Sequence, residues 1–267
     1  MAFEMRKNRL ARTKTRCTLF ANARGQVAIF IIVAIVIVAG ILFLFLFLGR
    51  VDVEDPLSVN PTKDIQLCVE DGIQEVVVEI LANGGIYEPE HTFAYDGENY
   101  TYLCYQDADY LPCYNSFPGL ETVIENEIYE QSKDRVDECF DLVGEDLERQ
   151  GFLVEFGPRE FSVDIFKSRI FVTLNRPMTL THEETIRDFE VFDIEIISDL
   201  GSLVDIAREI INYEAQYCFY DYHWQMRLTP EININFIDFQ TNKLYELENR
   251  VSHELFKFAV RSCPNQP

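Results

Sequence analysis

The stretch Glu160–Leu174, EFSVDIFKSRIFVTL, decides the fold class. Phe161, Val163 and Ile165 alternate with polar residues, and Ile170, Val172 and Leu174 do so again a few residues on. Side chains of a strand point to opposite faces in turn, so this pattern describes strands of a half-buried antiparallel sheet. The period changes on both sides of it. Upstream, Val123, Ile124, Ile128, Val136, Cys139, Phe140, Val143 and Leu147 recur at helical spacing over Leu120–Gln150, and Gly151 stands where a helix stops. Phe152–Phe156 reads as a strand between them. Downstream, Asp188–Ile197 reads as a fourth strand and Leu203–Tyr217 as a helix with Val204, Ile206, Ala207, Ile210 and Ile211 inward. Strands are expected at Gln225–Leu228, Ile232–Phe239 and Glu254–Val260.

Nearer the N-terminus, Thr62 is placed to cap a helix from Lys63, with Ile65, Leu67, Val69, Ile73, Val76, Val77, Ile80 and Leu81 at roughly helical spacing and Asn83-Gly84-Gly85 as its stop. Residues 86–118, rich in Tyr, Pro, Asp and Gly, read as a long irregular loop with a short strand at Tyr100–Leu103. Helices and strands do not alternate as β-α-β units. The class is therefore α+β, with about three helices packed on a mostly antiparallel sheet.

Val27–Leu48 is apolar throughout, and 22 residues at 1.5 Å each span about 33 Å, the thickness of a hydrocarbon core. The expectation is a transmembrane helix, with membrane lipid as a partner over residues 27–48. Seven of the eight Lys/Arg residues in 1–50 precede the run, which places the N-terminus in the cytoplasm. The organisation expected is a basic tail (1–26), the helix (27–48), a proline-bearing stalk (49–62) and an acidic extracellular domain (63–267). That outer part holds 15 basic and 44 acidic residues, a net charge of −29 within a chain of −22. Such a surface repels phosphate backbones and excludes nucleic acid as a partner.

One cysteine, Cys17, falls in the tail and six follow the apolar run, an even number that suits an oxidising compartment. Fifteen connectivities exist for six cysteines. Cys68 and Cys139 each lie beside the apolar stripe of a helix, so two helices packed side by side would bring them together. Cys104 and Cys113 close a short loop over Pro112, which leaves Cys218 for Cys263. Asn99-Tyr100-Thr101 is the one glycosylation acceptor with a permitted middle residue, since Asn60-Pro61-Thr62 is blocked by proline.

No hydrolase, phosphate-loop, dinucleotide or metalloprotease motif occurs, so no catalytic residue, metal site or cofactor is expected. His91, His182, His223 and His253 are far apart in sequence, and the contiguous Ser252-His253-Glu254 cannot form a triad by itself. Two features suit contact with a partner. The loop Cys104–Cys113 offers Tyr105, Asp107, Asp109 and Tyr110. The aromatic cluster Tyr213, Tyr217, Phe219, Tyr220, Tyr222 and Trp224 is read as core and rim packing.

Arg24-Gly25-Gln26-Val27-Ala28-Ile29-Phe30 resembles the class III signal peptides of archaeal pilins and archaellins. The resemblance implies peptidase cleavage between Gly25 and Gln26 and packing of the freed helix into a filament. Phe30 departs from it, since that position is commonly Glu in pilins. The chain also resembles, along most of its length, a family of single-pass surface proteins of small-genomed (DPANN-type) archaea. The matching segments are Arg24–Ile32, Cys68-Val69-Glu70, Gly84-Gly85-Ile86-Tyr87, Cys139 ahead of Gln150-Gly151-Phe152, and Ala207-Arg208-Glu209-Ile210. This resemblance implies surface exposure in an archaeon and supplies neither an activity nor a ligand. Taken together, the sequence reads as a membrane-anchored binding or adhesion protein, with a surface protein, the surface layer, a glycan or a second copy of the chain as candidate partners. The alternative is a pilin-like filament subunit.

Overall fold

A computed structural model describes residues 23–48 and 60–263. The chain divides into two units, Met1–Val59 and Asn60–Pro267. The tail before Ala23, with Cys17, and the stalk as far as Val59 lie outside the described residues.

In the first unit α1 runs Ala23–Leu48. The expectation of a membrane span is not met: among the described residues no helix is long and apolar enough to cross a membrane. The side chains described in α1 are those of residues 31–43.

The second unit is α+β. It begins with α2 (Pro61–Ala82), where proline occupies the first turn and Asn60 is the N-cap. Proline lacks the N–H that would be unpaired there anyway, so the helix starts before the Thr62 cap expected from sequence. Its stop is as expected: the Gly85 N–H donates to the Ile80 carbonyl at 2.7 Å. Gly85 has φ +90°, and a Cβ there would lie 2.7 Å from Ile124. Only glycine allows this turn and this approach together.

The stretch read as loop then forms β1 (Thr92–Tyr95), β2 (Glu98–Tyr105) and β3 (Tyr114–Asn115). After α3 (Leu120–Arg149) come β4 (Leu153–Phe156), β5 (Glu160–Phe166), β6 (Arg169–His182) and β7 (Thr185–Ile197). The order continues with α4 (Leu200–Tyr217), α5 (Tyr222–Leu228), β8 (Ile232–Phe239), β9 (Asn242–Asn249) and β10 (Leu255–Arg261). The segment 225–228 is thus helix rather than strand. Asp221 caps it, its side chain accepting from the Trp224 N–H at 3.0 Å.

The strands form two sheets instead of one. In the smaller, β6 pairs with β7 along one edge and with β5 and β4 in succession along the other. The register shifts between Asn175 and Met178. Pro177 sits in that shift, where it has no N–H to contribute to the ladder, and its carbonyl accepts from Gly157 between β4 and β5. In the larger sheet the order is β1-β2-β10-β9-β8, with β3 on β2. All its pairings are antiparallel except β2 with β10. The C-terminal strand is therefore central, a pairing no local pattern announces.

α2 packs on β7 and β10, and α4 on β5, β6, β2, β9 and β10, so these helices lie between the two sheets. The core that results includes Ile65, Ile73 and Ile80 of α2, Leu120, Ile124 and Phe140 of α3, and Ile210 and Ile211 of α4, all fully buried. Gly201 lets α4 begin against the β5–β6 turn, since a Cβ there would sit 2.3 Å from the Phe166 carbonyl oxygen.

Candidate functional site

The six cysteines are joined as Cys68–Cys139, Cys104–Cys113 and Cys218–Cys263, with Cα separations of 5.7, 5.4 and 5.6 Å. The first joins α2 to α3, the second closes the loop between β2 and β3, and the third ties the C-terminal end of α4 to the segment after β10.

Behind the third bond lies a buried polar knot. Glu214 of α4 is fully buried and accepts from the Tyr245 hydroxyl at 2.7 Å, Lys243 Nζ at 2.7 Å and the Ser262 hydroxyl at 2.9 Å. Lys243, only 1% exposed, also donates to the Cys218 carbonyl at 2.5 Å. Burial, with the negative charge of Glu214 alongside, pushes the Tyr245 phenol far up from its ordinary value and keeps it a donor. Each charge has its partners, as a buried ion pair requires. The knot is closed to solvent and offers no chemistry to a ligand.

The loop expected to make contacts is largely committed within the chain. Arg261 of β10 reaches the Tyr105 hydroxyl at 3.2 Å, the Asp107 carboxylate at 3.5 Å and its carbonyl at 3.1 Å, and Asp109 at 3.4 Å. Asp107, Asp109 and Tyr110 nonetheless stay exposed, Tyr110 at 76% with φ +65°. The expected Asn99 acceptor is exposed on β2, whereas Thr101 of the same tripeptide is buried and donates to the Asn83 carbonyl at 2.5 Å. Gly25 and Gln26 both lie within α1, so the backbone at that bond is helical. The aromatic cluster splits. Tyr220 is buried, its hydroxyl without a hydrogen-bond partner among the described residues, while Tyr217, Phe219 and Trp224 are more than half exposed.

A cleft of about 450 Å³ lies between the segment after α2 and the larger sheet, within the range of small-molecule sites. Ile86, Tyr102, Tyr105 and Phe117 line it with apolar surface, and Glu88, Glu90 and His91 stand along one side. Tyr102 and Tyr105 meet edge to face at 5.1 Å, and the His91 ring lies 6.4 Å from Tyr105. The hydroxyls in the lining are mostly used. Thr101 donates to Asn83, Tyr102 donates to Asn242 at 2.7 Å, and Tyr105 donates to Asp107 at 3.3 Å. Burial and the neighbouring Tyr105 raise the Tyr102 phenol above its ordinary value. Glu88 and Glu90 are exposed and form no ion pair or hydrogen bond among the described residues.

Three distant segments build this cleft. The Gly84-Gly85 turn throws residues 86–91 back over β2, where the His91 carbonyl accepts from the Tyr102 N–H at 3.0 Å. The Ser116 N–H returns to the Leu103 carbonyl at 2.9 Å and brings Ser116 and Phe117 to the far wall. Of the residues expected from sequence to make contacts only Tyr105 falls here; His91 had been noted for its isolation, Thr101 within the Asn99 acceptor, and Ile86 within a resemblance. Glu88 and Phe117 carried no local signal, because their proximity depends on how the chain folds back on β2.

Among the described residues no group of three or more His, Cys, Asp or Glu side chains is placed to hold a metal ion. No protein-family model, curated protein or solved structure matches the chain.

Proposed function

We propose that residues 60–263 form an exported binding domain that takes its partner in the cleft beneath residues 86–91. The observation that carries this reading is the cleft itself, with aromatic walls and two exposed carboxylates that no cation among the described residues neutralises. Three disulfides suit an oxidising compartment, where an acidic surface stays soluble. The test is a fragment screen by thermal shift on the full chain and on Ser116→Trp, which places an indole at an exposed position of the lining. Fragments that raise the melting temperature of the first and not of the second support the reading. Fragments that act equally on both contradict it.

A second reading, a filament subunit processed after Gly25, draws on α1. The described side chains of this helix are apolar and exposed, from Ile31 (55%) to Phe43 (61%), a surface that neighbouring copies of the helix would cover. Processing requires the helical bond between Gly25 and Gln26 to open first. Sequencing the N-terminus of the mature protein decides it: Gln26 as the first residue supports the filament, and an uncut chain opposes it.

A further inference from the structure

We infer that the cleft selects an organic cation, an ammonium group carried on an apolar body. The inference rests on the cleft being the binding site and concerns what enters it. Three observations converge.

The first is charge. Glu88 and Glu90 project at the cleft with no basic partner among the described residues, in a chain of net charge −22. The guanidinium of Arg261, which lies over the Tyr105 ring, is already shared between Asp107 and Asp109. The field at the mouth therefore favours a cation and disfavours an anion.

The second is the rings. Tyr102, Tyr105 and Phe117 with His91 give an aromatic lining, and the faces of such rings attract ammonium groups within about 6 Å, most strongly where water is displaced. Arg261 already uses the Tyr105 ring in this way, with its guanidinium carbon 5.6 Å from the ring centre.

The third separates a cation from a sugar, the other ligand that aromatic rings and carboxylates suit. A sugar presents hydroxyls that both donate and accept, and it needs donors in the site as well as acceptors. Here the hydroxyls of Thr101, Tyr102 and Tyr105 donate to Asn83, Asn242 and Asp107. What remains free is the pair of Glu88 and Glu90 carboxylates, which only accept, beside the Ser116 hydroxyl and the His91 ring, so acceptors carrying charge outweigh donors. An ammonium group, with donors or a positive charge and no acceptor, matches that inventory.

The test titrates the full chain with choline, with its neutral carbon isostere dimethylbutanol, and with glucose, following binding by calorimetry. The same titrations are run on the Glu88→Gln/Glu90→Gln double variant. Choline is expected to bind at least about tenfold more tightly than the isostere, a difference of about 1.4 kcal/mol. The double variant should remove most of that preference while leaving the isostere unchanged. Equal binding of choline and isostere, indifferent to the two glutamates, overturns the inference and leaves the cleft standing as an apolar site. Glucose binding in place of choline overturns it in favour of a sugar. If none of the three binds, the inference falls, and the Ser116→Trp screen then decides the fate of the cleft reading separately.

Discussion

The knot around Glu214 and the cleft beneath residues 86–91 are built from the same materials, carboxylates beside tyrosines, and they do opposite things. In the knot one fully buried glutamate meets a lysine, a tyrosine and a serine. In the cleft two exposed glutamates have no ion-pair or hydrogen-bond partner among the described residues, beside tyrosines whose hydroxyls are occupied elsewhere. A charge taken out of water must be paired, so pairing marks a structural role. An unpaired carboxylate costs little while it faces solvent, and it keeps its capacity to attract a ligand. Pairing, more than residue type, separates scaffold from site in this chain.

The largest effect that would break this contrast lies in the knot. Glu214→Gln or Lys243→Met should each destabilise the fold by about 3–5 kcal/mol, because each strands a buried charge. Replacing both together, Glu214→Leu with Lys243→Met, should recover most of that loss in urea unfolding. Singles that unfold like the parent would show that the knot does not hold α4 to β9.

The disulfides come next. Cys218–Cys263 closes a separation of 45 residues and Cys104–Cys113 one of 9. Loop entropy then assigns about 4 kcal/mol to the first and about 3 kcal/mol to the second. Paired Cys→Ser variants should follow that order in urea, and the reverse order would place the strength of the fold in the contact loop instead.

A smaller effect concerns Glu254, half-buried against the start of α4 and accepting from the Asp199 N–H at 2.5 Å. Burial raises its carboxyl above the ordinary 4.5. Between that value and the raised one the folded chain holds a proton that the unfolded chain has released. This group's contribution to stability therefore falls as pH rises through that window. The difference in unfolding free energy between the parent and Glu254→Gln, followed from about pH 4 upward, should show the fall in the parent alone. A rise in the parent would mean that its hydrogen bonds outweigh burial.

Much of the scaffold was legible and little of the site was. Helices α2, α3 and α4 announced themselves because each buries a stripe at helical spacing, and the stripes of α2 and α3 carried Cys68 and Cys139 to each other. Strands β5 and β8 were readable end to end by alternation or apolar richness. Strand β9 was not, because the buried Lys243 breaks the apolar pattern and is tolerated only through Glu214, 29 residues away. Segment 225–228 looked like a strand, but the Asp221 cap and the burial of Gln225 make it a short helix. The cleft failed to appear for a different reason. Its walls come from residues 86–91, 101–105 and 116–117, which become neighbours only once the chain folds back on β2 from both sides, through the His91–Tyr102 and Leu103–Ser116 backbone bonds that no periodic pattern announces.

The central claim is that stability and recognition are separated in this way, and a thermal melt of the full chain with and without saturating choline tests it most directly. The account predicts that Glu88→Gln/Glu90→Gln melts like the parent, within the ~0.5 kcal/mol usual for surface changes. It also predicts that choline raises the melting temperature of the parent and not of this variant, because a ligand stabilises only the fold that binds it. A variant that melts well below the parent, or one that choline stabilises as much as the parent, would contradict it.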